Sequence, residues 1–413
     1  MNDLPNPRSF ANFEAHRHSG LLIALAGSLS LAVAMGIGRF AFTPLMPAMA
    51  KEGLLDIPFG STLASANYLG YLAGAMLMMG APKVVSDAVM IRISLVATAI
   101  LTAGMALDIP VAWLGFRFLA GVFSAFAFVA TSAWAFAHLT RRSASHLGGI
   151  VFTGPGVGIA ISGVVAFELF GSNLPSSWVW LVFAAISLVV TIALWQVFTR
   201  PEAPHERHAN NDNSHKLRVS RWEMILFAFS YGLAGFGYII TATFLPAMAH
   251  AELQPSIWLD GFWPLFGIAA AVGCIAAIKL IGRFDPRLLL FFAYLIQALG
   301  VLTIVPFQTL LGFTASSFLV GLPFTAINFF AMKEVQRLRP HAASRYMGML
   351  TALYSIGQIA GPPVVAALLS QFSVQQEGFN AALILAAISL VLGGVAYLFM
   401  YIAWPLAAHR SAR

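Results

Sequence analysis

Long runs of apolar residues constrain this chain more than any other feature of its sequence. Twelve such runs alternate with shorter stretches rich in Pro, Gly, Ser and charged residues. A helix needs about 20 residues to cross the hydrocarbon core of a bilayer, and the runs are close to that length or longer. Only 9% of the residues are charged, against roughly 25% in a soluble globular domain. The predicted membrane spans are 20–49, 59–80, 89–107, 110–138, 147–170, 178–199, 222–249, 257–280, 287–306, 308–332, 346–370 and 379–404.

The conformation of these spans follows from backbone chemistry. Peptide groups inside a bilayer find no water, so each must be hydrogen-bonded within the protein, and a helix does this within a single segment. The strands of a membrane β-barrel would be about ten residues long with alternating polarity, and no run in the sequence alternates in this way. The sequence therefore predicts an all-α integral membrane protein with twelve transmembrane helices.

The distribution of basic residues predicts the orientation of the chain. If the N-terminus is placed inside, only Lys51 of the 23 Lys and Arg residues falls on the outer side. Arg39 and Arg117 lie within spans, and all the others fall on the inner side. Cytoplasmic loops carry an excess of Lys and Arg. We therefore expect both termini in the cytoplasm and the protein in the cell inner (cytoplasmic) membrane, and the net charge of +7 needs no nucleic-acid partner to explain it.

One long polar stretch divides the spans six and six. Residues 200–221 read RPEAPHERHANNDNSHKLRVSR and are interpreted as a cytoplasmic linker. The two sides resemble each other, since GIGRFAFTPLMPAMA begins at residue 36 and GFGYIITATFLPAMA at residue 235. Parallel repeats of this kind are related by an axis along the membrane normal. We expect an N-terminal six-helix bundle over residues 1–199 and a C-terminal one over 222–413.

This 6+6 pseudo-repeat with a cytoplasmic linker resembles the major facilitator superfamily over essentially the whole chain. The opening GIGRFAFTPLMP resembles the YbfB/YjiJ-type branch of that superfamily. The resemblance implies the major facilitator fold and secondary active transport by alternating access. It also implies that spans 1, 4, 7 and 10 line a central cavity, and that the protein is not an enzyme and needs no cofactor or metal.

Arg39 is the residue most in need of an explanation. It lies deep in the first span, where a charged side chain costs about 2.5–3.5 kcal/mol on insertion scales. It could brace helix packing by bonding backbone carbonyls or a neighbouring helix. It could instead face the cavity and meet a substrate or a coupling carboxylate, which is the interpretation we favour.

Other residues extend this candidate substrate site. In the fourth span Arg117, Gly121 and Ser124 recur at helical spacing on one face. RFLAG at 117–121 resembles the superfamily motif whose Arg is implicated in proton transfer in proton-coupled relatives. Weaker polar stripes lie in spans seven and ten, and several aromatic residues could stack on a substrate. The predicted substrate-binding residues are Arg39, Tyr68, Arg117, Ser124, Trp134, Tyr238, Asn328 and Gln358.

Three further motifs suggest conformational roles. GPGVG at 154–158 resembles the antiporter motif of span five, and GQIAGPP at 357–363 is its counterpart in span eleven. GRFDPR at 282–287 resembles the superfamily's inner gating loop, whereas GAPKVVSD at 80–87 departs from it because Val84 replaces the usual Asp. The predicted gating residues are Gly154, Pro155, Gly158, Arg283, Asp285, Arg287, Gly361 and Pro362.

Two substrates remain open for a transporter of this kind. The spans hold two arginines and no deep carboxylate, which favours a small organic anion, with a proton or a counter-anion as the coupling ion. The alternative is a proton-coupled efflux antiporter for neutral or drug-like compounds. A non-transporting receptor or sensor, from a different class, would need a larger soluble domain. No P-loop, HExxH or G-x-S-x-G motif indicates an enzyme, and we expect a monomer whose partners are substrate and the lipid bilayer.

Overall fold

The computed structural model describes residues 20–80, 85–171, 174–199, 220–254, 259 and 261–405. Within these residues all regular secondary structure is helical, so the predicted all-α class is confirmed. Most of the predicted linker lies outside the described residues, as do both chain ends and Val84 of the first gating loop.

The described residues form twelve long helical segments in chain order, together with short helical turns at Ser145–Leu147, Gly148–Val151 and Pro340–Ala342. The long segments are α1 (Gly20–Lys51), α2 (Ile57–Gly80), α3 (Asp87–Gly104), α4 (Pro110–Arg141), α5 (Gly154–Gly171), α6 (Ser176–Leu194), α7 (Arg221–Glu252), α8 (Phe262–Leu280), α9 (Pro286–Thr303), α10 (Leu310–Leu338), α11 (Ala343–Leu369) and α12 (Gln375–Ala403).

Eleven of the described helices are long and apolar enough to cross a membrane. The remaining helix, α2, is 24 residues long, but its glycines, tyrosines and Asn67 make it less apolar. Most helix ends lie within five residues of the predicted spans. The long helix α5 begins at Gly154, seven residues after the predicted start, and α10 continues past residue 332 to Leu338. A multi-pass membrane protein is therefore confirmed.

The first helix is not continuous, although its hydropathy predicts one span. An α-helix from Gly20 changes to a π-helix at Ala32–Ile37, and an α-helix resumes at Phe42–Lys51. The amides of Gly38 and Phe40 bond carbonyls five residues back, at 2.9 and 3.0 Å. Such π-segments inside α-helices are frequent at functional sites.

Close glycine packing fixes the broken part of α1 against α5. A Cβ atom added at Gly36 would lie 2.3 Å from the Cα atom of Gly158, and one added at Gly154 would lie 2.0 Å from the Ser28 carbonyl oxygen. Any side chain at these positions would force the two backbones apart. The π-segment is therefore held at a point where α1 and α5 meet backbone to backbone.

Helix pairs recur along the chain in a regular way. In the first half α2 packs on α4, α3 on α4 and α1 on α5, and in the second half α8 packs on α10, α9 on α10 and α7 on α11. Two further pairs, α2 with α11 and α5 with α8, join the segments before and after the linker. This pattern is what a repeated unit would give, and the division into two six-helix bundles stays a prediction.

Candidate functional site

Arg39 lies in the turn that follows the π-helix of α1. Its side chain is only 2% exposed, and its amide bonds the Met35 carbonyl at 3.3 Å. The break in α1 thus places a guanidinium group inside the protein rather than toward lipid or water. The free-energy cost of burying this charge depends on the groups that contact it.

The partners of Arg39 are an amide and aromatic faces. Its Nη2 donates to the Oε1 atom of Gln358 in α11 at 2.5 Å. Its Cζ lies 3.8 Å from the centroid of the Tyr71 ring and 5.5 Å from that of Tyr68, both in α2. Cations over aromatic faces are attracted by the ring quadrupole. Arg39 therefore joins α1 to α2 and α11, which lie on opposite sides of the linker in sequence.

Two hydrogen-bond donors of Arg39 remain unused. Its Nε and Nη1 atoms are buried and have no hydrogen-bond partner. Among the described residues, the ion pairs that form involve Arg287 and Arg337, and no carboxylate pairs with Arg39. A buried charge without a counter-ion is costly in free energy, so a bound anion would stabilise the Arg39 guanidinium.

A chain of polar and aromatic contacts continues from Gln358. Its Nε2 donates to the hydroxyl oxygen of Tyr238 in α7. The Tyr238 ring stacks on Tyr354 with 5.6 Å between ring centroids and lies 4.8 Å from Phe324. The Tyr68 hydroxyl is 3.3 Å from the Thr243 hydroxyl, also in α7. We call Arg39, Tyr68, Tyr71, Tyr238, Tyr354, Phe324 and Gln358 the central cluster.

Arg117 lies beside the central cluster but bonds to main chain. Its Nη1 donates to the Gly38 carbonyl at 3.2 Å and its Nη2 to the Arg39 carbonyl at 3.0 Å. The side chain is 3% exposed, and its own carbonyl accepts from Asn67 at 2.9 Å. Arg117 therefore holds the turn that carries Arg39, because the π-helix leaves these carbonyls without regular helical partners.

The other predicted substrate residues divide into two groups. Asn328 joins the edge of the central cluster, since its Oδ1 accepts from the Tyr231 hydroxyl at 2.5 Å and the Tyr231 ring lies 4.9 Å from Tyr354. Ser124 instead donates to the Gly121 carbonyl of its own helix at 2.9 Å. Trp134 packs at 4.8 Å on Phe198. The structure thus brings Arg39, Tyr68, Tyr238, Gln358 and Asn328 together and leaves the other two outside.

Sequence reasoning missed Tyr71 and Tyr354. Tyr71 makes the closest aromatic contact with Arg39, and its position three residues after Tyr68 places both on one face of α2. From that spacing, Tyr71 could have been predicted to join Tyr68 at the site. Nothing comparable pointed to Tyr354, whose contacts come from α7.

A second buried arginine, at the start of α9, bonds to groups on three other helices. Arg287 is 2% exposed, contacts Glu223 of α7 and donates from Nε to Glu334 of α10 at 3.2 Å. Its Nη1 also donates to the Met400 carbonyl of α12 at 3.1 Å, and Arg337 donates to Glu334 at 2.5 Å. We call these residues the charge cluster. All of them follow the linker in sequence, and Glu334 was missed because span ten was predicted to end before it.

Asp285 caps α9 next to this cluster. Its Oδ1 accepts from the Arg287 amide at 2.8 Å. Burial raises the pKa of the Asp285 carboxyl above its usual value, and the amide bond and the charge of Arg287 oppose this rise. The prediction placed Asp285 and Arg287 together, and the structure does so through the helix cap.

The charge cluster borders a cleft of about 620 Å³. On one side lie Phe136, Thr140 and Ser145, from the end of α4 and the loop after it. On the other lie Asp285 and the exposed Arg283, with parts of α10. Residues from the two sides of the linker thus face each other across this cleft.

The glycine–proline motifs each pack a helix against a neighbour. Gly154 and Gly158 of α5 approach the α1 backbone, and the buried Pro155 lies between them in the first turn of α5. In α11 a Cβ atom added at Gly361 would lie 2.5 Å from Ile239 of α7, and the buried Pro362 lies in the interior of the helix. Among the described residues no group of three His, Cys, Asp or Glu could hold a metal.

Comparison with known proteins identifies the family. A search of curated proteins found no match. The sequence profile described as "Uncharacterised MFS-type transporter YbfB" matches residues 31–398, a range that includes α2 to α11 and the whole central cluster. The chain therefore belongs to the YbfB-type family of major facilitator superfamily transporters.

Proposed function

We propose that this protein is a secondary active transporter that moves a small organic anion by alternating access, with Arg39 as the anion anchor. Membership of the transporter family supports the general activity. The observation that carries the substrate class is the buried Arg39 guanidinium, which has two unused donors and no carboxylate partner among the described residues.

The free donors of Arg39 have a geometry that suits an oxyanion. Nη2 carries two N–H groups, and Gln358 accepts from one of them. The other N–H completes an edge with either Nε or Nη1, both of which are unpartnered. A guanidinium edge binds a carboxylate or phosphate through two parallel hydrogen bonds. One such edge is therefore available without disturbing Gln358.

The aromatic part of the central cluster suits the organic part of such an anion. Tyr71 and Tyr68 flank the guanidinium, and Tyr238, Tyr354 and Phe324 lie beyond Gln358. Rings of this kind bury apolar surface and favour stacked or edge contacts. We infer that the substrate carries an apolar or aromatic body next to its negative charge.

Alternating access gives the other predicted residues their proposed roles. The protein would lie in the cell inner membrane with both termini in the cytoplasm. Its two six-helix bundles would rock about the Arg39–Gln358 contact, which joins α1 to α11. The glycine–proline motifs of α5 and α11 would be the surfaces that slide, and Arg283 with the charge cluster would form the inner gate. A proton or a counter-anion would drive the cycle in a monomer.

The test is uptake by the purified full-length protein in proteoliposomes. Labelled benzoate, succinate and inorganic phosphate would be offered with a counter-anion inside, or with an imposed proton gradient. We expect uptake of at least one organic anion by wild type and its loss in Arg39→Lys, which keeps the charge but not the planar fork. Uptake that survives in Arg39→Lys would contradict the anchor role.

Efflux of neutral or drug-like compounds is the second candidate, and the tyrosine stack favours it. The centroid of the Tyr354 ring lies 4.9 Å from that of Tyr231 and 5.6 Å from that of Tyr238, and aromatic walls bind neutral rings as well as anions. Proton-driven export of a lipophilic cation such as tetraphenylphosphonium, unchanged in Arg39→Lys, would favour this candidate over the first.

A further inference from the structure

A second candidate site lies between α7 and α11, away from Arg39. It is a groove of about 480 Å³, and we call it the α7–α11 groove. Its lining residues are Arg221, Met224, Ile225, Ala228, Phe229, Arg339, Tyr346, Met349 and Leu353. Two arginines and seven apolar or aromatic side chains share the groove, and no carboxylate of the described part of the chain lines it.

The basic end of the groove has unmet hydrogen-bonding capacity. Arg221 is exposed at the first turn of α7, and Arg339 follows the end of α10. The Nε atom of Arg339 is buried and has no hydrogen-bond partner, while its Cζ lies 5.5 Å from the centroid of the Tyr346 ring. Glu223, the nearest acid in sequence to Arg221, contacts Arg287 instead. Among the described residues, no carboxylate pairs with either guanidinium group, which leaves both suited to binding an anion.

The apolar end of the groove faces outward. Ile225 is 46% exposed and Phe229 is 58% exposed, and they lie one turn apart on α7. Met349 and Leu353 have the same spacing on α11. On a membrane protein such a surface contacts acyl chains. By the predicted orientation, the two arginines lie at the level of the inner-leaflet headgroups.

We propose that the α7–α11 groove binds an anionic phospholipid. The phosphodiester would lie between Arg221 and Arg339, and an acyl chain would follow Ile225, Phe229 and Leu353. Basic pockets between transmembrane helices on the cytoplasmic side are suited to anionic headgroups, and guanidinium groups bind phosphate oxygens in pairs. A zwitterionic lipid carries its own ammonium group, which offsets the attraction of the arginines for its phosphate, so the two arginines would favour phosphatidylglycerol.

The chain offers an internal control groove between α3 and α6. This groove is about 430 Å³, and Val89, Ile93 and Val96 contribute to an apolar lining that contains one arginine, Arg92. Arg92 donates to Thr199 at 3.4 Å and lies 5.3 Å from the centroid of the Trp195 ring. The Arg92→Gln substitution thus neutralises an arginine beside a lipid-facing groove whose described lining residues include no second cation.

The test is native mass spectrometry of the detergent-purified full-length protein, titrated with phosphatidylglycerol or with phosphatidylcholine of the same acyl chains. We expect wild type to prefer phosphatidylglycerol. An Arg near the membrane surface contributes about 1 kcal/mol toward anionic lipid, so Arg221→Gln and Arg339→Gln should each weaken binding about fivefold. Arg92→Gln should leave this binding unchanged.

The outcomes separate the possible ligands. Equal binding of the two lipids, or the same loss in Arg92→Gln as in Arg339→Gln, would overturn the proposal. If inorganic phosphate alone competes with phosphatidylglycerol at equal concentration, the groove holds a free anion and the lipid assignment is wrong. Arg221 is exposed, so Arg221→Gln should fold and remains informative even if Arg339→Gln does not. Neither variant touches the central cluster, so this result does not depend on the proposed function.

Discussion

Arg39 and Arg287 are equally buried, at 2% exposure each, yet they are surrounded by different groups. Arg287 meets two carboxylates, Glu223 and Glu334, and a helix carbonyl. Arg39 meets one amide and aromatic faces, and two of its donors have no partner. The charge of Arg287 is balanced inside the protein, whereas that of Arg39 is not.

This difference separates a structural arginine from a candidate ligand anchor. Removing one member of a buried ion pair leaves the other charge unpaired and is strongly destabilising. Removing a buried charge that has no counter-ion relieves part of its own desolvation cost. Burial alone therefore does not assign a role to an arginine, and its partners do. The same substitution at both sites makes the comparison measurable.

The largest expected effect is at Arg287. Arg287→Met keeps much of the side-chain volume but leaves Glu223 buried without its cation and leaves Glu334 with Arg337 alone, so we expect a loss of about 3–5 kcal/mol in unfolding free energy. Thermal or denaturant unfolding of the purified protein in detergent would measure it. Arg283→Met in the same loop is the control, since an exposed position should change stability by about 0.5 kcal/mol or less. Equal effects at the two positions would refute the structural role of the charge cluster.

Arg39→Met should cost far less in the ligand-free protein. The bond to Gln358 and the contact with Tyr71 are lost, but a buried charge without a counter-ion is removed as well, so we expect a change of about 1.5 kcal/mol or less. The same unfolding experiment measures it. A loss as large as that of Arg287→Met would mean that Arg39 braces the fold, which was the packing interpretation of this residue.

A smaller effect is expected at Gln358, which occupies one donor of Arg39. Gln358→Met frees that donor and removes a competitor for the guanidinium, so anion affinity should rise about two- to tenfold, the equivalent of one net hydrogen bond. Thermal stabilisation of the purified protein at increasing concentrations of an organic anion would measure the change in affinity. Gln297→Met is the matched control, because Gln297 is also buried but bonds the Val320 carbonyl. Weaker binding in Gln358→Met would show that Gln358 contacts the substrate.

The smallest effect concerns pH and the cap of α9. Because burial raises the pKa of Asp285 above 3.8, the folded protein binds this proton more readily than the unfolded chain does. Its contribution to stability is thus fully present below the usual pKa and is lost as pH rises through the raised pKa. The stability of wild type relative to Asp285→Asn should therefore fall as the pH rises from about 4, the usual carboxyl pKa, through the raised pKa. If the relative stability instead rises with pH over this range, burial does not raise the pKa of Asp285 and the assigned cause is wrong.

Much of the architecture could be predicted from the sequence because hydropathy and charge act over long segments. The helices, their approximate ends and the family follow from apolar runs, the basic residues between them and the GIGRFAFTPLMP motif. The break in α1 could not be predicted in the same way. It depends on the contact of Gly36 with Gly158 and on Arg117 bonding the Gly38 and Arg39 carbonyls, which are contacts between distant segments.

Only part of the candidate site could be predicted, because contacts between distant segments complete it. Arg39 stood out because a charge inside an apolar span is costly. Tyr238 lay on span seven, which was expected to line the cavity, and Gln358 lay in the GQIAGPP motif of span eleven. Ser124 and Trp134 share α4 with Arg117, but Ser124 bonds within its own helix and Trp134 packs on Phe198. Helical periodicity indicates a face, and only packing between helices decides what that face meets.

The central claim is that Arg39 anchors an anion, and thermal stabilisation by matched ligands tests it most directly. Benzoate, propionate and succinate would each be compared with the corresponding amide on purified wild type, Arg39→Met and Arg39→Lys. At a hundredfold excess over Kd a ligand adds about 2.7 kcal/mol of stability to the folded state. We predict that at least one carboxylate stabilises wild type while its amide does not, and that both variants lose this difference. Stabilisation by a carboxylate and its amide alike, or a difference that persists in Arg39→Met, would contradict the account.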